Sequence, residues 1–146
     1  MKKIMVGMSG GVDSSVAAML LRDSGCEVMG VTLKLFSDED IYRSLKDGKT
    51  CCALSDAKDA ESVAHRLGFE HTVFDFREHF RECVMKQFAD CYLCGRTPNP
   101  CIECNRHVKF GKMLQTAQKH GYDGIATGHY ASVAYNEETG RYLLKR

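Results

Sequence analysis

The chain has 146 residues, 44% of them apolar, which suffices for one domain with a single core and needs no disulfide support. Its 20 Lys and Arg against 19 Asp and Glu leave a formal charge of +1. That excludes a molecule-wide basic field for nucleic acid and an acidic tail, so any polyanion must be met by a local site.

Lys2 and Lys3 precede the apolar run Ile4-Met5-Val6-Gly7-Met8, which Gly10, Gly11 and Asp13 end too soon for a secretory signal. No other run approaches membrane length. The eight cysteines are therefore expected to be reduced thiols of a cytoplasmic protein, available for metal binding or catalysis. Lys3 to Met8 reads as a buried strand. From Val12 the apolar positions Val12, Val16, Met19 and Leu20 recur at helical spacing until Gly25.

Between strand and helix lies Ser9-Gly10-Gly11-Val12-Asp13-Ser14-Ser15. Amides at a glycine turn and a helix N-terminus converge on one concavity, and missing Cβ atoms at Gly10 and Gly11 would let phosphate oxygens approach. Ser9, Ser14 and Ser15 add hydroxyls. Asp13 suits Mg²⁺ better than phosphate, or serves simply as a carboxylate at a helix start. The Walker pattern of a glycine loop ending in Gly-Lys-Ser/Thr is absent. A tight turn with capping serines is the bland alternative.

Glu27 to Leu33 predicts a second strand, and Leu35 to Cys52 is polar and aperiodic, a loop. Ser55 to Leu67 puts Ala57, Ala60, Ala64 and Leu67 on one helical face, and His71 to Phe76 alternates as a strand. Phe80, Val84, Gln87, Phe88 and Cys91 continue a helix towards Gly95, and Thr97-Pro98-Asn99-Pro100 forces an extended turn. Asn105 is the expected N-cap of a helix carrying Phe110, Met113, Leu114 and Ala117 and ending near Gly121. Gly124 to Thr127 reads as a strand, and Tyr130 to Tyr135 pairs with Tyr142 to Leu144 in a hairpin. The alternation predicts one α/β domain over residues 1–146, a doubly wound, mostly parallel, Rossmann-like sheet with ligands at the carboxyl ends of its strands.

The string Ser9 to Ser15 resembles the PP-loop of ATP pyrophosphatases, which adenylate an oxygen of a substrate and release pyrophosphate. GMP and NAD synthetases carry variants of it. Gly95-Arg96-Thr97-Pro98-Asn99-Pro100-Cys101-Ile102-Glu103-Cys104-Asn105-Arg106-His107-Val108-Lys109-Phe110 narrows the likeness to the tRNA-specific 2-thiouridylases, as do Ile125 to Tyr130 and Gly30 to Lys34. The resemblance implies ATP-dependent replacement of O2 by sulfur in the wobble uridine of tRNA, with a sulfur-donor protein or a sulfide source as partner and no membrane. It implies Gly7, Met8, Ser9, Gly10, Gly11, Val12, Asp13, Ser14, Ser15, Leu33 and Gly128 at ATP, with Mg²⁺ at Asp13. Asn99, Pro100 and Cys101 are implied at the base, with Cys104 as catalytic nucleophile. A thiolate at a helix start would have its pKa lowered by the free amides there.

Many members carry aspartate where this chain has Cys101, and the Cys101/Cys104 pair leaves open a persulfide route or a [4Fe-4S] cluster. The resembling enzymes continue through a Lys-Asp-Gln-Ser segment, a second cysteine and two tRNA-gripping domains. This implies an amino-terminal piece that binds ATP without turning over.

Other features carry milder readings. Cys91-x-x-Cys94 with Cys101-x-x-Cys104 fits a zinc site in an RNA-binding module, against core packing of Cys91 with Cys94 left open. Cys26 and Cys83 read as buried fillers, and Cys51 and Cys52 as loop residues. His129 is a nucleotide contact or a structural histidine, and the other five histidines read as surface or helix-end residues. Arg96, Arg106, Lys109 and Lys112 form a phosphate-binding patch or a solvated face, and Lys34 is expected near the phosphates.

Overall fold

The computed structural model describes residues 1–37 and 54–145. The expected loop from Leu35 to Cys52, with Cys51 and Cys52, lies mostly outside the described residues. The elements are β1 (Lys3–Gly7), α1 (Val12–Asp23), β2 (Glu27–Lys34), α2 (Leu54–Leu67) and β3 (Glu70–Asp75). Next comes a long helical stretch, α3, composed of Arg77–Phe80, the π-helical Arg81–Met85 and Lys86–Leu93. A second, α4, joins Pro100–Glu103, the π-helical Cys104–Met113 and Leu114–Lys119. Then follow β4 (Gly124–Thr127), β5 (Ser132–Asn136) and β6 (Arg141–Lys145).

The first four strands form one parallel sheet in the order β3-β2-β1-β4. Parallel strands buried on both faces carry continuous apolar runs, as β2 does with Val28, Val31 and Leu33. The period of two separates their side chains into two cores. Met5, Val31 and Leu33 pack with Phe76, Phe80, Val84, Val108 and Met113 on the α3/α4 side. Val6, Met8 and Val28 pack with Ala18 and Ala60 on the α1/α2 side. The doubly wound expectation holds. β5 and β6 form a separate antiparallel hairpin, with Asn136 Oδ1 accepting from the amides of Glu138 (2.9 Å) and Thr139 (3.2 Å) in its turn.

Three local expectations need correction. In α1 the face towards the sheet is Ser14 and Ala18, while Val12, Val16 and Leu20 are 77%, 42% and 59% exposed. Small residues win because α1 lies close over β1, and β1 itself brings the bulk. Asn105 is not an N-cap: Asn99 is, its Oδ1 accepting from Cys101 N at 3.2 Å and Ile102 N at 3.4 Å. Pro100 therefore begins the helix instead of extending the turn, since a first-turn proline gives up an amide that has no helical partner. Cys91 is half-buried and lies outside the core cluster; Cys26 and Cys83 are half-buried too, each packed against a core.

Candidate nucleotide site

In an open parallel sheet a ligand crevice forms where the chain's direction of growth reverses, which here is between β1 and β4. A cavity of about 350 Å³ lies there, lined by Gly7 at the end of β1, by Met8, Ser9, Asp13 and Ser14 after it, by Val31, Thr32 and Leu33 from β2, and by Leu35 just beyond β2. Lys109 and Met113 of α4, and Thr127, Gly128 and His129 after β4, close it. A larger hollow of about 480 Å³ lies off the ends of β2 and β3 between Leu35, Arg77 and Arg81, and holds none of the residues expected at the nucleotide. The chemistry favours the smaller cavity, because a helix N-terminus opens on it.

That N-terminus is built for an anion. Gly11 is the N-cap of α1 and no side chain caps it; the first-turn amides have no helical partners. The serine hydroxyls turn inward: Ser14 and Ser15 donate to Gly11 O at 3.2 and 2.9 Å, and Ser14 Oγ accepts from Ser9 N at 3.3 Å. The two glycines differ in what they do. A Cβ on Gly11 would meet only Ser9 Oγ at 3.5 Å, so its face is open to a ligand. Gly10 has φ +76° and a Cβ there would lie 2.6 Å from Asp56 O, so its missing side chain serves the approach of α2. Gly128 does similar work from β4, since its Cβ would fall 2.7 Å from Ser14 N.

Asp13 sits at the mouth, accepting from Tyr130 Oη at 2.9 Å, and that bond raises the Tyr130 pKa. His129 is bonded to Thr127 Oγ1 at 2.7 Å and lies 5.5 Å from the Phe110 ring. Burial, with Lys109 adding to it, lowers its pKa. Lys34, expected near phosphate, instead helps Arg77 hold the Asp75 carboxyl down to about 2. Among the described residues the lysine that lines the cavity is Lys109, which sequence reasoning had placed in a looser patch; its helical offset of four from Met113 was the available signal.

The cysteine segment is arranged differently from the expectation. Cys104 lies past the first turn of α4, its amide already bonded to Pro100 O and Cys101 O, and its side chain packs against the α3/α4 core. Cys101, exposed in the first turn, has the helix-start position instead. Asn99 and Pro100 line a second cleft of about 300 Å³ with Val84, Phe88, Cys91, Arg96 and Ile102. Among the described residues no three His, Cys, Asp or Glu side chains converge as a metal site would require. The four cysteines of the zinc reading thus do not come together. The basic residues disperse likewise, with Arg106 3.6 Å from Glu103 and Arg96 at the second cleft.

The model of the tRNA methyl transferase HUP domain matches residues 2–146. The chain belongs to that family. Among its curated relatives, the tRNA-specific 2-thiouridylase MnmA of Clostridioides difficile is 52% identical over 99% of this chain and 39% of the relative's length. Those of Acetivibrio thermocellus and Clostridium acetobutylicum are 53% and 48% identical, again over 99% of this chain and 40% of theirs. The chain thus spans about two fifths of the length of the curated relatives it matches. A solved chain from Methanocaldococcus jannaschii, described as a predicted subunit of a tRNA methyltransferase, shares the fold at TM-score 0.56 and 22% identity, over 88% of this chain and 53% of its own. Among the described residues no helix is long and apolar enough to cross a membrane.

Proposed function

We propose that this HUP domain binds ATP in the β1/β4 crevice and forms the nucleotide-binding part of a cytoplasmic enzyme that puts sulfur in place of O2 of the wobble uridine of tRNA. The supporting observation is the cavity itself: an uncapped helix N-terminus with an open Gly11 face, an apolar wall of Val31 and Leu33, and a Lys109 ammonium opposite. Those parts suit phosphates, adenine and the charge between them. The names of the 2-thiouridylase relatives point to the same reaction.

When bound, ATP supplies an adenylyl group that makes the uridine oxygen a leaving group, and pyrophosphate departs. The first-turn amides of α1 hold phosphate oxygens, with the Ser9 amide engaged by Ser14 Oγ beside them; Lys109 offsets the phosphate charge. Asp13 is a single exposed carboxylate, the sort of ligand Mg²⁺ accepts when waters and phosphates complete its shell. Asn99 and Pro100 take the base in the cleft between α3 and α4, and Cys101 follows them in the chain. Cys104 takes sulfane sulfur from a donor protein as a persulfide and passes it to C2 as AMP leaves, a second thiol then reducing the disulfide so formed; sulfide, already reduced, attacks C2 directly and displaces AMP without Cys104. Two thiols one turn apart are too few for a [4Fe-4S] cluster, and no third joins them among the described residues, so no step is assigned to one.

Calorimetry of the chain with ATP and Mg²⁺ tests the binding; heat only at the level of dilution at millimolar ATP ends the proposal. Incubation of an enzyme of the relatives' full length that contains this domain with unmodified tRNA, ATP and sulfide, followed by mercury-affinity gels, tests the acceptor. ATP binding with pyrophosphate release to a nucleotide carboxylate or carbonyl, and none to tRNA, would favour a GMP or NAD synthetase-like reading.

A further inference from the structure

Met8, the residue that opens the glycine loop, is held by β2 through both its amide and its carbonyl. Met8 N donates to Val31 O at 2.8 Å, and Met8 O accepts from Thr32 Oγ1 at 2.9 Å. Because a peptide is planar, fixing the Met8 carbonyl also fixes the direction of the Ser9 amide, which faces Ser14 Oγ at 3.3 Å. Thr32 is 4% exposed and Met8 3%, so these groups have no ready exchange with water.

Thr32 has one hydroxyl hydrogen and two neighbours able to accept it, because His71 Nε2 lies 3.0 Å away. Its hydrogen goes to Met8 O without competition when His71 Nε2 carries a proton and donates to Thr32; an unprotonated Nε2 would compete for it. The ring is placed for this by Gly30, where a Cβ would come within 3.1 Å of His71 Cδ2 and 2.8 Å of Met8 Sδ. His71 itself stands outside the cavity lining.

We propose that His71 is a positioning residue for the nucleotide loop, acting through the Thr32 hydroxyl on the Met8–Ser9 peptide; this rests on the ATP reading above. Burial lowers the His71 pKa, against the pull of Glu61, so the ring is neutral near pH 7, and on this proposal its single proton sits on Nε2. Nothing in the glycine motif contains this arrangement.

The test combines ring NMR with nucleotide affinity. Long-range ¹H–¹⁵N spectra of the chain should show His71 as the Nε2–H tautomer, with or without ATP. Thr32→Val, which removes the bond to Met8 O, should weaken ATP binding about tenfold; His71→Leu, which removes only the donor that fixes the Thr32 rotamer, should weaken it less, and the double variant no more than Thr32→Val alone. Thr32→Ser should restore the affinity. An Nδ1–H tautomer overturns the proposal, and so does wild-type affinity in His71→Leu, which would leave Thr32 acting by direct contact alone. If the wild-type chain binds no ATP, the nucleotide reading fails by itself, and the tautomer still decides the relay.

Discussion

Gly10 and Gly11 are neighbours in one motif and should respond to mutation in different ways. Gly10→Ala forces a side chain into φ +76° and against Asp56 O, so it should cost about 2–3 kcal/mol in urea unfolding. Gly11→Ala, with only Ser9 Oγ at 3.5 Å, should keep the fold and weaken ATP binding instead. A Gly10→Ala protein as stable as the parent would refute the first assignment. Acid should destabilise the domain in two steps. His71 and His129 are held below the usual 6.5, so the unfolded chain takes up their protons first and stability falls as pH drops through 6.5. Asp75, depressed from 3.8 to about 2, adds stability above 3.8 that is lost between those values. Unfolding midpoints measured from pH 8 to pH 3 should fall monotonically; a rise near pH 6 would contradict the histidine directions.

Helices α1 and α4 show where local pattern and tertiary context part. The apolar spacing of Val12, Val16 and Leu20 correctly indicated a helix, but pattern alone gives the period and not which stripe meets the sheet. Ala18 at 0% exposure is the contact, so Ala18→Met should cost about 1–3 kcal/mol by overpacking, while Val16→Lys should change stability by less than about 0.5 kcal/mol. Thermal melts of the two variants compare them directly. In α4, two prolines hid the true N-cap, because Pro100 looks like a breaker until it is seen as the first helical residue. Asn99→Ala should remove about 1 kcal/mol, and Asn99→Asp should retain it. Equal stability of all three would mean that Asn99 does not cap. The helix-start position once expected of Cys104 is held by Cys101, three residues nearer that cap.

For the molecule as a whole, the four-stranded sheet with helices on both faces was legible from alternating strands and helices, and the hairpin from its polar turn. Stability should be uneven between them. An isolated two-stranded hairpin is marginal in water, and β6 is exposed along its length. Amides of β5 and β6 should therefore exchange with deuterium well before those of Met5, Val6 and Val31, which sit at 0% exposure. Hairpin protection equal to that of β1 would show that it is held by the domain. By itself the sequence determined the order of elements, the glycine loop and the family, because period, turn chemistry and motif spacing are local properties of the chain. Only the tertiary structure decided that Gly10 answers to Asp56, that Lys109 and not Lys34 faces the cavity, and that His71 reaches the loop through Thr32. Those contacts join residues tens of positions apart, and their distances are set by strand register and helix packing, which no local pattern encodes.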